Sequence, residues 1–159
     1  MANIQKADAE EGSKFWGVRF VVRLPVWRSM MYDPWKNYGG KSDEVLLHAT
    51  AVVVSGNGLL ILGPSGAGKS YLAIEMLALG ADLISDDRVK LRNGASGLML
   101  HAAEPLAGCI EARGLGIISC PIQTCVPLKY CLDLSLMNEA RLPFAKEVTK
   151  LGHRISVLP

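Results

Sequence analysis

Cysteine is sparse in this chain and badly spaced for chemistry of its own. The 159 residues hold Cys109, Cys120, Cys125 and Cys131 and no others. None forms a C-x-x-C pair and no histidine cluster accompanies them, so a zinc site is not expected. Three lie in apolar, strand-like surroundings, where a buried free thiol is the usual outcome. A surplus of one charge is also missing. Seventeen Lys and Arg against fifteen Asp and Glu leave a formal net charge of +2. That is too little to argue for nucleic acid or a membrane surface as partner, and the basic residues are scattered. No apolar run approaches the ~20 residues of a membrane span. Residues 1–14 are polar and acidic rather than a secretory leader. Together with the unpaired thiols, this points to a reducing cytoplasm. There is no internal repeat and no low-complexity segment.

What the chain does have is Gly63-Pro64-Ser65-Gly66-Ala67-Gly68-Lys69-Ser70. An apolar run, Leu59–Leu62, leads in, and a helix-like run, Tyr71–Leu79, leads out. Strand, glycine loop and helix make the setting of a phosphate-binding P-loop. Glycines let successive backbone N–H groups turn inward around an anion, and the helix N-terminus adds partial positive charge. Lys69 is placed to reach the β and γ phosphates, and the Ser70 hydroxyl to ligate Mg²⁺. The alternative is a glycine-rich turn with a stray lysine; the flanking elements favour the nucleotide site.

Residues 1–44 read as an N-terminal extension and 45–159 as one catalytic domain, large enough to bury a core. In the extension, 1–14 is expected to be a disordered tail, 18–22 a short edge strand and 28–44 a loop or boundary. Val45–Val54 has the pattern of one strand; Ser55-Gly56-Asn57-Gly58 turns it into a hairpin with Leu59–Leu62. The helix after Lys69 should end at Gly80. Strands are expected at 81–85, 89–92 and 98–101, with a turn at Asn93-Gly94, then within Val126–Leu136 and at Arg154–Leu158. Asn138–Lys150 reads as a loop or short helix interrupted by Pro143. The fold class is thus α/β but strand-heavy, a P-loop helix packed on a mixed sheet. That is unusual for P-loop folds, whose helices cover both faces of a parallel sheet.

A P-loop needs acidic groups for metal and, for transfer to a hydroxyl, a base. Asp86-Asp87 closes the strand after the P-loop helix, where such carboxylates sit. Adjacent strand residues point to opposite faces, so one of the two is expected to reach the phosphates. His48 falls on the strand paired with the one feeding the loop; taken alone, a histidine on an apolar strand is more often packed than functional. Glu111 and Arg113 share a face before the bend at Gly114-Leu115-Gly116. An ion pair fits that spacing, and so does a metal ligand beside a phosphate clamp.

In order and spacing, Leu47-His48-Ala49-Thr50-Ala51, the P-loop, Ser85-Asp86-Asp87-Arg88-Val89 and Ile110–Ile118 (IEARGLGII) resemble the C-terminal catalytic domain of HPr kinase/phosphorylase. The resemblance covers roughly 45–158, and EARGLGI is its most specific part. The His-Ala-Thr variant resembles the short alphaproteobacterial form without the usual N-terminal domain. The resemblance implies a β-rich fold related to phosphoenolpyruvate carboxykinase, assembled as a homo-oligomer, a hexamer. It implies ATP and Mg²⁺ as cofactors and an HPr-like phosphocarrier as partner. It makes His48 and Lys69 active-site residues, and Asp87 the base for kinase action with Asp86 beside it. Ser70 and Glu111 would bind Mg²⁺. Beside the resemblance, the residues themselves make Asp86 a further candidate metal residue and Arg113 a candidate phosphate clamp. Arg141, in Arg141-Leu142-Pro143, would be a further catalytic arginine.

Two departures matter. Position 71, often acidic in the family, is Tyr71. The chain stops at Pro159, short of the family's C-terminal helices and a Gly-Arg-Asn segment tied to dephosphorylation, so phosphorolysis is not expected. The reading that follows is a protein serine kinase. The alternatives are a nucleotide-binding regulatory module without phosphotransfer and a small-molecule kinase of carboxykinase ancestry.

Overall fold

A computed structural model describes residues 32–104, 107–136 and 144–159. The chain divides between Tyr32 and Asp33, and the elements below belong to the unit Asp33–Pro159. The expected tail at 1–14, the strand at 18–22 and Arg141 lie outside the described residues.

The strands are β1 (Glu44–Leu47), β2 (Thr50–Val54), β3 (Asn57–Leu62), β4 (Asp82–Ser85), β5 (Val89–Gly94) and β6 (Gly97–Ala102). They continue as β7 (Cys109–Ala112), β8 (Gly116–Ser119), β9 (Val126–Asp133), β10 (Lys146–Lys150) and β11 (His153–Leu158). One helix, α1 (Lys69–Ala78), appears among the described residues. The main sheet runs β1-β5-β6-β9-β3-β2-β4, with β11 added parallel to β9 and β10 antiparallel to β11. A separate hairpin pairs β7 with β8. The described residues form a mostly β mixed sheet with one short helix.

Period-two alternation sorts the side chains of the central strands onto two faces. Val52 of β2, Ile61 of β3 and Leu83 of β4 face Ala73 of α1 and Ile110 of β7. Their neighbours Ala51, Val53, Leu60, Leu62 and Ile84 join a larger core on the other face with Leu47, Val89, Leu91, Leu100 and Val126. The helix is therefore held by a narrow apolar seam on one side of the sheet, and its start is fixed relative to β3. Trp35 is buried in the larger core, and Asn37 Oδ1 accepts the backbone N–H groups of Gly39, Gly40 and Leu46. Residues 33–44 thus belong to the folded unit.

Strand direction places the site. Both β3 and β4 are antiparallel to β2, and β9 is parallel to β3. The carboxyl ends of all three strands leave the sheet on one edge, where ligands of such sheets bind. Gly63 follows β3 there, and Asp86 follows β4.

The β2–β3 hairpin turns on Ser55-Gly56, with φ of 50° and 77°. Positive φ at both central residues is the type I′ geometry that suits two-residue hairpins. Three expectations are corrected. Val45–Val54 is two strands: β1 pairs with β5 and β2 with β3, and the chain breaks at His48-Ala49 between them. His48 is consequently on neither strand, and the break lets its ring turn toward Asp87. The β5–β6 turn is at Ala95-Ser96, since Gly94 pairs with Gly97. Lys146–Lys150 is a strand, its β10–β11 register closing over Leu151-Gly152 with φ of 49° and 80°. The apolar setting expected for the thiols holds fully for Cys131 alone, which is buried; Cys125 is exposed. No described helix is long and apolar enough to cross a membrane.

Candidate active site

The loop after β3 is shaped by its glycines in two ways. At Gly63 (φ 153°) an added Cβ would lie 3.0 Å from the Ala67 Cβ and 3.2 Å from the Leu134 Cβ, so a side chain would fit only if its neighbours gave way. Gly66 and Gly68 have open space but φ of 84° and 97°, conformations that favour glycine. Pro64 and Ala67 close the turn through an Ala67 N–H to Pro64 C=O bond of 3.1 Å. Gly68 starts α1 without a side-chain cap, and no acidic residue occupies the first turn. The first amide groups of the helix are left to meet an anion.

Lys69 is 6% exposed and folds back over the loop. Its ammonium has three donors. They go to Gly63 C=O at 2.9 Å, Pro64 C=O at 3.2 Å and His48 Nε2 at 3.2 Å. Burial pushes its pKa below the usual lysine range, opposed by the negative charges of Asp87 and Asp86. The other ring nitrogen, His48 Nδ1, lies 3.1 Å from the Asp87 carbonyl oxygen and 3.0 Å from Asp87 Oδ1. Both are acceptors, so the neutral tautomer with hydrogen on Nδ1 satisfies every contact: Nδ1–H donates to Asp87, and Nε2 accepts from Lys69.

Asp87 itself sits in a tight turn. Arg88 N–H donates to Asp86 C=O at 2.8 Å, an i to i+2 closure, and Asp87 between them has φ 68°. Ser85 Oγ–H donates to Arg88 C=O at 2.6 Å and closes the loop from behind. A non-glycine residue held at positive φ stores strain, and such strain concentrates at functional sites. The turn separates the two aspartates. Asp87 points out, its side chain 64% exposed, while Asp86 is 8% exposed. Asp86 Oδ1 accepts from Thr50 Oγ at 2.6 Å and from Ser70 Oγ at 2.9 Å. Its Oδ2 makes no hydrogen bond among the described residues.

Ile110 anchors the β7–β8 hairpin against α1, and Glu111 and Arg113 rise exposed from it. No ion pair joins them among the described residues. A single cleft of about 810 Å³ is lined by His48, Ser65, Gly66, Gly68, Lys69, Ser70, Asp86, Asp87, Glu111 and Arg113. Of the residues singled out in the sequence, Gly63, Pro64 and Ala67 shape the loop without lining the cleft, and Arg141 lies outside the described residues. Thr50 was missed, although a fully buried threonine in an otherwise apolar strand signals a buried polar partner. So was the apolar lining from Tyr71, Ile74, Leu115 and Ile117.

The donors suit a hard cation. Among the described residues no three of His, Cys, Asp and Glu come together as a self-sufficient metal cluster. Ser70 Oγ beside the free Asp86 Oδ2, with Glu111 on the same cleft, gives oxygen donors only. Magnesium keeps waters and takes phosphate oxygens, so one or two protein ligands are what it requires.

A sequence profile described as the HPr Serine kinase C-terminal domain matches residues 41–124, just over half of the chain. The chain belongs to this family. Among relatives, the HPr kinase/phosphorylase of Clostridium botulinum (strain Eklund 17B / Type B) is 44% identical over 75 residues, 47% of this chain and 25% of that protein. The HPr kinase/phosphorylase of Bordetella pertussis (strain Tohama I) is 37% identical over 101 residues, 62% of this chain and 33% of that protein. The matched stretches span a third or less of those relatives. The solved structure of the Hpr(Ser) kinase/phosphatase from Coxiella burnetii superposes with a TM-score of 0.64 at 22% identity, covering 71% of this chain and 83% of that one. That likeness concerns the fold, and it agrees with the strand-heavy sheet of this HPr kinase C-terminal domain.

Proposed function

We propose that this HPr kinase-family domain is an ATP- and Mg²⁺-dependent protein serine kinase acting on HPr or a related phosphocarrier. The observation that carries the proposal is the chain of contacts from Asp87 through His48 to Lys69, beside Ser70 and Asp86 in one cleft. A generic ATPase needs the loop and the metal side of this arrangement. The exposed carboxylate of Asp87, clear of the metal side, is the additional group that transfer to a hydroxyl requires.

In the proposed step, Asp87 accepts the proton of the acceptor serine hydroxyl as its oxygen forms a bond to the γ-phosphorus. The bond from that phosphorus to the bridging oxygen breaks, and ADP leaves. Lys69 gives up one of its loop carbonyls to meet phosphate oxygens, and the α1 amide groups face the same charge. His48 holds Asp87 in place through Nδ1–H and keeps Lys69 oriented through Nε2. Ser70, Asp86 and Glu111 would hold Mg²⁺, which when bound neutralises phosphate charge. Arg113 would clamp phosphate bidentately. Arg141 takes its catalytic role from the family resemblance alone, as does assembly as a homo-oligomer.

The test is transfer from γ-labelled ATP to a purified HPr-like phosphocarrier, followed by mapping of the labelled residue. The proposal requires label on a serine. Measurable ATP binding with no label on the carrier would favour a regulatory module instead.

A further inference from the structure

The cleft is larger than a phosphate cradle. Its volume of about 810 Å³ falls in the ~300–1,000 Å³ range of pockets that enclose a whole small molecule. Tyr71, Ile74, Leu115 and Ile117 line it and have no part in phosphate or metal chemistry. Tyr71 is 68% exposed, Leu115 86% and Ile117 73%. Tyr71 directly follows Ser70 on α1, and Ile74, one turn on, shares its helix face. The ring is exposed on the cleft, and its faces are open to be covered by something planar and apolar. A ring exposed beside the cradle is a stacking platform, because any nucleobase presents a π-face to an aromatic side chain.

We propose that Tyr71 is the stacking face for the base of a bound nucleoside triphosphate, with Ile74 beside it and Leu115 and Ile117 of the β7–β8 hairpin bordering the same apolar pocket. The inference rests on the nucleotide-binding reading above and adds its specificity element. The cradle holds polyphosphate whatever is attached to it; Tyr71 makes the site prefer a nucleotide over bare polyphosphate.

Calorimetric titration of the full chain with Mg-ATP and with Mg-tripolyphosphate separates the two contributions. Tyr71→Ala should weaken Mg-ATP binding by about tenfold, from the loss of one stacked base, and leave tripolyphosphate within about twofold. Tyr71→Phe should keep ATP affinity within about threefold, since the ring face survives. Leu79→Ala removes a side chain that is 89% exposed and outside the cleft, and should change neither ligand. If Tyr71→Ala leaves ATP binding intact, or weakens both ligands equally, the stacking role is overturned while the cradle stands. If the wild-type chain binds neither ligand, the cradle fails and takes this inference with it.

Discussion

His48 grips Asp87 twice, its Nδ1 lying 3.1 Å from the backbone carbonyl and 3.0 Å from Oδ1 of the same residue. The grip holds a residue that the backbone alone would release, since Asp87 has φ 68°. This predicts an inversion of the usual Gly–Ala order. Asp87→Gly should be more stable than Asp87→Ala by about 1 kcal/mol, because alanine retains the strained Cβ and glycine does not. Urea denaturation of both variants measures the difference. Alanine equal to or better than glycine would contradict the strained turn.

Thr50 and Asp86 form a buried polar contact at 2.6 Å. Thr50→Val keeps the shape and removes the donor, leaving a buried carboxylate short of a partner. The expected cost is about 1–3 kcal/mol, and Thr50→Ser should recover most of it. Denaturation midpoints at constant slope read this directly.

Lys69 ties stability to pH. Its folded pKa lies below the 10.5 of an unfolded lysine because burial disfavours the ammonium. Between those two values the unfolded chain binds more protons at this group, so its contribution to stability rises with pH. In Lys69→Met that contribution is gone. The stability of the wild type relative to Lys69→Met should therefore increase as pH climbs toward 10.5. A wild-type minus variant difference that is flat or falling over that window would oppose the burial argument.

The thiols should react in a fixed order. Burial pushes the Cys131 thiol up to about 12, while Cys125 is exposed. A thiol reagent at neutral pH should label Cys125 first and reach Cys131 only on unfolding. Mass mapping after brief labelling checks the order, and early modification of Cys131 would count against the packing of β9.

Much of this was legible in the residues. The glycine loop between a strand and a helix, the hairpin ahead of it and the aspartate pair behind it follow from local chemistry, although Asn57-Gly58, expected in the hairpin turn, belongs to β3. The split of Val45–Val54 was not legible, because β1 and β2 are equally apolar and only their different partners, β5 and β3, pull them apart. The same tertiary pairing made Lys146–Lys150 a strand despite its charged, weakly alternating sequence. The division of labour between Asp86 and Asp87 depends on a turn centred on an aspartate at positive φ, which neighbouring residues do not announce. Tyr71 stands out in sequence as a departure at a position often acidic in the family; its exposure on the cleft gives it meaning.

The central claim is that Asp87 is the base of a phosphotransfer site whose nucleotide is held by other groups. Asp87→Asn tests it when carrier phosphorylation and Mg-ATP affinity are measured on the same preparation. The account predicts at least a ~100-fold loss of transfer rate with ATP affinity within about threefold of wild type, since the cradle is made by residues 63–70. An Asp87→Asn protein that phosphorylates the carrier at the wild-type rate would contradict it.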